Sequence, residues 1–86
     1  MKIRFHKNFD KQYKKLSKEQ KKRVKERLAL FLENTFHPIL GNHSLKGRYK
    51  SYRSINITGD LRAIYKFINE QECIFVAIDT HSNLYS

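Results

Sequence analysis

The sequence predicts a single α+β domain over residues 1–86, an antiparallel sheet packed against two N-terminal helices in the order β-α-α-β-β-β. Three observations predict it. The chain opens on a basic–apolar alternation, Lys2 to His6, the two-residue period of a strand. Two stretches of helical periodicity follow, with a capping pattern between them. After Gly47 come three short β-type runs separated by turn-forming residues.

The first helix rests on Phe9, Tyr13 and Leu16, which share one helical face, with Asn8 expected as its N-cap. Ser17-Lys18-Glu19-Gln20 places Ser three residues ahead of Gln, a capping box that opens the second helix. Val24, Leu28, Phe31 and Leu32 continue its apolar stripe, and Asn34 and Pro38 mark the end. Leu40-Gly41-Asn42 and Lys46-Gly47-Arg48 read as turns. Strands are expected at Tyr52–Ile57, Leu61–Ile68 and Cys73–Ile78, the last a continuous apolar run suited to a central position. The tail from Thr80 to Tyr85 is polar and ends on an aromatic anchor. No repeat, linker or low-complexity segment interrupts this order.

Charge narrows the function. Net charge is +10, and it is lopsided: residues 1–27 carry 12 basic and 3 acidic side chains, residues 28–86 carry 6 and 5. Such a field draws polyanions and speeds their encounter, whether nucleic acid, ribosome, membrane surface or an acidic protein. No stretch reaches the ~20 apolar residues of a membrane span. The start of the chain turns charged at once instead of building an apolar signal core, and the single cysteine, Cys73, has no internal partner. A cytoplasmic location and a buried, unreactive Cys73 are expected.

Polar residues near strand ends and turns carry more chemical information than the helix lysines, which read as a solvated face able to add salt-dependent affinity. Lys46, Arg48, Lys50 and Arg53 interleave with Tyr49 and Tyr52. Cations that hold phosphates beside phenol rings that stack on bases suit single-stranded RNA; a charged hairpin whose tyrosines cover a sheet edge suits the same string. His43, Asp60, Arg62, His81 and Tyr85 form the candidate catalytic set. Cleavage of RNA by its own 2′-hydroxyl needs a base for that oxygen, a cation at the phosphate and an acid for the leaving 5′-oxygen. Histidine serves either proton role and arginine holds phosphate. This chemistry needs no cofactor, and two histidines and an aspartate on separate segments are a weak metal signature. The plainer roles are a turn aspartate, loop histidines and an aromatic plug; His6 and His37, near element ends, are expected to be structural.

The ordered blocks Asn42-His43-Ser44-Leu45-Lys46-Gly47, Tyr52-Arg53-Ser54-Ile55-Asn56-Ile57, Gly59-Asp60-Leu61-Arg62-Ala63-Ile64-Tyr65 and Thr80-His81-Ser82-Asn83-Leu84-Tyr85 resemble the RelE/ParE toxin superfamily, and its YafQ branch in particular. The resemblance covers nearly the whole chain. It implies a RelE-like fold, cutting of mRNA on the ribosome without a cofactor, and neutralisation by an acidic antitoxin. By position, His43 and His81 match family catalytic histidines, Asp60 the site aspartate and Tyr85 the terminal aromatic. Arg62 matches the arginine at the scissile phosphate. Asn56 stands where the YafQ pattern has a histidine; an amide can position substrate but exchanges no proton near neutral pH. A ParE-like gyrase inhibitor and a non-catalytic RNA- or ribosome-binding protein are the alternative functions.

Overall fold

The computed structural model describes residues 1–85; the side chain of Tyr85 and the whole of Ser86 lie outside the described residues. β1 (Lys2–Phe5) leads into α1 (Lys7–Lys14) and α2 (Lys18–Glu33). β2 (His43–Ser44), β3 (Arg53–Asn56), β4 (Leu61–Asn69) and β5 (Glu72–Thr80) follow, and α3 (His81–Tyr85) comes last. Short 3-10 turns at Pro38–Leu40 and Gly47–Tyr49 flank β2. The strands form one sheet in the order β1-β5-β4-β3-β2.

The α+β class and the order of the predicted elements hold. The structure adds the short strand β2 and the C-terminal helix α3, which the sequence reading did not place. Neighbours from β2 to β5 pair antiparallel, but the edge strand β1 lies parallel to β5. Connectivity explains it: the chain leaves β1 through helices, which is the kind of crossover a parallel pair requires. The capping box at Ser17 is present, with Gln20 N donating to Ser17 Oγ at 3.1 Å and Ser17 N to Gln20 Oε1 at 2.9 Å. The cap of α1 differs from expectation. His6, not Asn8, is the N-cap, its Nδ1 accepting from Asn8 N at 3.0 Å. His37 does the same for the turn at Pro38, accepting from Ile39 N at 3.1 Å. Leu32, expected on the buried stripe, is exposed.

One face of the sheet carries the main core. Phe9, Val24 and Phe31 from the helices pack on Ile55, Ile57, Leu61, Ala63, Tyr65, Cys73, Phe75 and Ile78. A smaller cluster on the opposite side joins Ile64, Ala77 and Leu84, with Leu45, Tyr52 and Val76 against it. Alternation along β5 changes phase part-way: Cys73 and Phe75 face the helices, and so does Ile78. A β-bulge causes this. The register runs Ile64↔Ala77 and then Tyr65↔Phe75, so Val76 is the extra residue. A bulge leaves ladder groups unpaired, and α1 supplies their partners. Asn8 Nδ2 donates to Val76 O at 3.0 Å, and Ile78 N donates to Gln12 Oε1 at 2.8 Å. The bulge thereby brings Asp79 opposite Arg62 and places α3 beside the start of β4.

Candidate functional site

On the sheet face turned away from α1 and α2, a cavity of about 430 Å³ is lined by Gly41, His43, Leu45, Ser54, Asn56, Arg62 and His81. Three strands, the loops on either side of β2 and one helix meet there. Strand register explains how residues far apart in sequence converge: His43 pairs with Ser54, Ser54 with Ile64, and Asn56 with Arg62. Side chains at those paired positions share a face.

His43 is steered by its own loop. Its Nδ1 lies 3.0 Å from Gly41 O. A carbonyl only accepts, so this bond requires the hydrogen on Nδ1 and leaves Nε2 with the lone pair in the neutral ring. The preceding residue anchors the loop from the opposite side of the sheet. Asn42 Nδ2 donates to Thr35 O at 2.9 Å and to Tyr65 Oη at 2.7 Å, and Arg53 Nε donates to Asn42 Oδ1 at 2.8 Å. Burial pushes the Tyr65 phenol above its ordinary value, against the opposing pull of Asn42 and Arg53, so it stays a neutral hydroxyl within this network. Gly41 has φ +53°, and a Cβ there would stand 2.5 Å from Asn56 Nδ2. Glycine at this position is what allows the Asn56 amide against the loop.

Arg62 reaches the turn between β3 and β4, where its Nη1 donates to Thr58 O at 2.9 Å and Gly59 O at 3.0 Å. His81 is the first residue of α3, and its N donates to Asp60 O at 3.0 Å. Thr80 Oγ1 accepts from Asn83 N at 3.2 Å, the usual cap geometry, and Asp79 Oδ1 accepts from Thr80 N at 2.8 Å and from Asn83 Nδ2 at 3.1 Å. The helix start that carries His81 is therefore fixed from both the β3–β4 turn and the end of β5.

The cavity thus gathers His43, Asn56, Arg62 and His81 from the residues singled out in the sequence. Asp60 is exposed and does not line it; what holds α3 is its main-chain carbonyl. The expected contribution of Tyr85 falls on a side chain outside the described residues. The basic–aromatic segment divides. Lys46, Arg48 and Lys50 are exposed around the Gly47–Tyr49 turn. Tyr52 belongs to the smaller apolar cluster, its ring edge-on to Tyr49, whose hydroxyl donates to Leu84 O at 3.4 Å. Arg53 sits on the helix-side face, bonded to Asn42 and stacked 5.3 Å over Phe36. Alternation separates it from Asn56, three positions away on the same strand.

Sequence reading missed Gly41, Leu45 and Ser54 as lining residues. Ser54 had a usable signal, since it precedes Asn56 by two strand positions; it is fully buried, and its Oγ has no hydrogen-bond partner among the described residues. No group of three or more His, Cys, Asp or Glu among the described residues has metal-binding geometry, and no described helix is long and apolar enough to cross a membrane.

The model of the YafQ family, bacterial toxins of type II toxin–antitoxin systems, matches residues 1–86. The chain belongs to that family. The crystal structure of YafQ from E. coli superposes with a TM-score of 0.83 at 24% identity, over 98% of this chain and 97% of that one. YafQ in the E. coli DinJ–YafQ toxin–antitoxin complex gives 0.79 at 25% identity, over 98% and 96%. A YoeB/ParE toxin from Agrobacterium tumefaciens gives 0.78 at 16% identity, over 94% and 99%. No curated protein sequence matches significantly.

Proposed function

We propose that this YafQ-family toxin is an endoribonuclease that cuts mRNA on the ribosome by attack of the RNA's own 2′-hydroxyl, in the cytoplasm, and that an acidic antitoxin restrains it. The observation that carries the reading is the convergence of His43, Arg62 and His81 on one open cavity, with an amide, Asn56, between them. Two imidazoles and a guanidinium are the groups this reaction uses, and it needs no metal.

The hydrogen on His43 Nδ1 leaves Nε2 to take the 2′-hydroxyl proton as the 2′-oxygen bonds to phosphorus. The bond from phosphorus to the 5′-oxygen breaks, and protonated His81 gives that oxygen its proton. Products are a 2′,3′-cyclic phosphate and a 5′-hydroxyl. Arg62 is suited to the charge that builds on the phosphate: its Nη1 is occupied by turn carbonyls, while Nε and Nη2 carry no hydrogen bond among the described residues. Asn56 orients the nucleotide without exchanging a proton. Asp60 acts in this scheme by holding His81 through its main chain, and Tyr85 is assigned to leaving-group or base contact. Lys46, Arg48 and Lys50 supply phosphate contacts at the rim.

Inducible expression in bacteria with mapping of transcript ends tests this. The parent should arrest growth and leave breaks within translated messages, and His81→Ala should do neither while remaining folded. Undiminished toxicity of His81→Ala, or arrest with intact messages and altered DNA supercoiling, would overturn the ribonuclease reading.

A further inference from the structure

The turn between β3 and β4 holds two guanidiniums, one on either side. Arg62 Nη1 donates to the carbonyls of Thr58 and Gly59 from the cavity side. Arg27 Nε, from α2, donates to Ile57 O at 3.3 Å on the other. Arg23 lies one helical turn before Arg27, so the two share a face of α2. With Ile39, Asn56, Ile57, Thr58 and Gly59 they line a second depression of about 470 Å³. Asn56 lines both hollows. Among the described residues no carboxylate forms an ion pair with Arg23, Arg27 or Arg62, whereas Arg4 and Glu72 do pair. Glu19 lines the next hollow beyond Arg23 and ends this cationic track.

We propose that the Arg23–Arg27 depression is a second phosphate subsite, which takes the RNA backbone adjoining the scissile phosphate after it passes over Asn56. The inference rests on the ribonuclease reading and adds where the strand runs. Two guanidiniums that meet no carboxylate among the described residues, separated from the cleavage cavity by one amide, suit a polyanion with regularly spaced charges. The Asn56 amide can both donate and accept, so it can bond a sugar or base lying between two held phosphates. An acidic peptide would meet the same cations but has no use for the shared boundary with the cleavage cavity.

Binding of single-stranded RNA from two to eight nucleotides, followed by fluorescence anisotropy on the His81→Ala protein at 50 to 200 mM salt, tests it. Affinity should rise once the oligonucleotide is long enough to reach the second hollow. Arg23→Ala/Arg27→Ala should remove that rise, leave the shortest oligonucleotides unaffected, and lower the slope of log K against log salt by about 1.4, about sevenfold in affinity across that range. Arg23→Ala alone, at an exposed position, should give half the slope change and guards against a folding defect in the double variant. Removing the same charge at Lys7 and Lys11 should leave the length dependence intact. An equal effect from the Lys7/Lys11 pair would mean net charge alone and would overturn the subsite. So would loss of polyglutamate binding with RNA length dependence preserved, which would assign the hollow to an acidic peptide. Absence of any RNA binding by the His81→Ala protein with Arg23 and Arg27 intact would instead bring down the ribonuclease reading itself.

Discussion

The two faces of the sheet are built from alternate residues of the same strands, yet they have opposite characters. On the helix side, Tyr65, Phe31 and Phe75 are fully buried, with ring centroids 5.0 to 5.4 Å apart, and α1 and α2 seal them. On the other side, a small cluster around Ile64, Ala77 and Leu84 covers only part of the sheet, and the rest is left to His43, Asn56, Arg62 and His81. Stability is concentrated on one face, which frees the other to hold cations and imidazoles that a dry core would not tolerate. The lesson is a division of labour set by a period of two residues.

If that division is right, the largest effect on activity should come with the smallest on stability. His43→Ala should lower RNA cleavage by about 10²–10⁴-fold while denaturant unfolding moves by no more than ~0.5 kcal/mol; a large loss of stability would blur the two faces into one. Phe31→Ala probes the opposite face and should cost about 3–5 kcal/mol in the same unfolding measurement, enough to threaten so small a domain. Gly41→Ala addresses the boundary, since it meets both the φ penalty and Asn56. It should cost about 1–3 kcal/mol and impair cleavage as well. Adding Asn56→Ala should recover part of the stability but not the cleavage; no recovery would mean that the backbone conformation alone sets the cost. Ser17→Ala, at the capping box of α2, should cost about 0.5–2 kcal/mol and leave cleavage of the surviving folded protein unchanged.

The smallest signal is chemical. Burial pushes the Cys73 thiol up from its ordinary 9.0 to about 11, because the thiolate is disfavoured in the core. Iodoacetamide should leave it unmodified in the native protein at pH 8 and label it in urea. A group whose folded value is raised favours folding below its unfolded value, and that contribution disappears as pH climbs through the folded one. The part due to Cys73 is therefore complete below about pH 9 and lost toward pH 11. Ready native labelling at pH 8 would show that the helix-side core is not sealed.

Much of the fold was legible from periodicity. The capping box at Ser17, the aromatic helix face and the three C-terminal strands all come from local signals that tertiary contacts reinforce. Two residues stand where local composition did not put them. Asn8 has the composition of a cap, but a bulge at Val76, 68 residues further along the chain, claims its side chain, and His6 takes the cap. Arg53 has the composition of a phosphate ligand, yet its strand parity turns it to the helix side, a point that alternation from Asn56 already contained. Arg23 and Arg27 carry no local signal that sets them apart on α2; the β3–β4 turn against them is a tertiary contact.

By itself the sequence determined which residue types were available and which local elements they form, because caps, turns and periodicity act between neighbours a few positions apart. Register, the phase of β5 and the meeting of His43, Arg62 and His81 in one cavity were decided only by the tertiary structure. They depend on pairings between residues tens of positions apart and on one extra residue, Val76, whose unpaired backbone is held by Asn8 and Gln12 from α1.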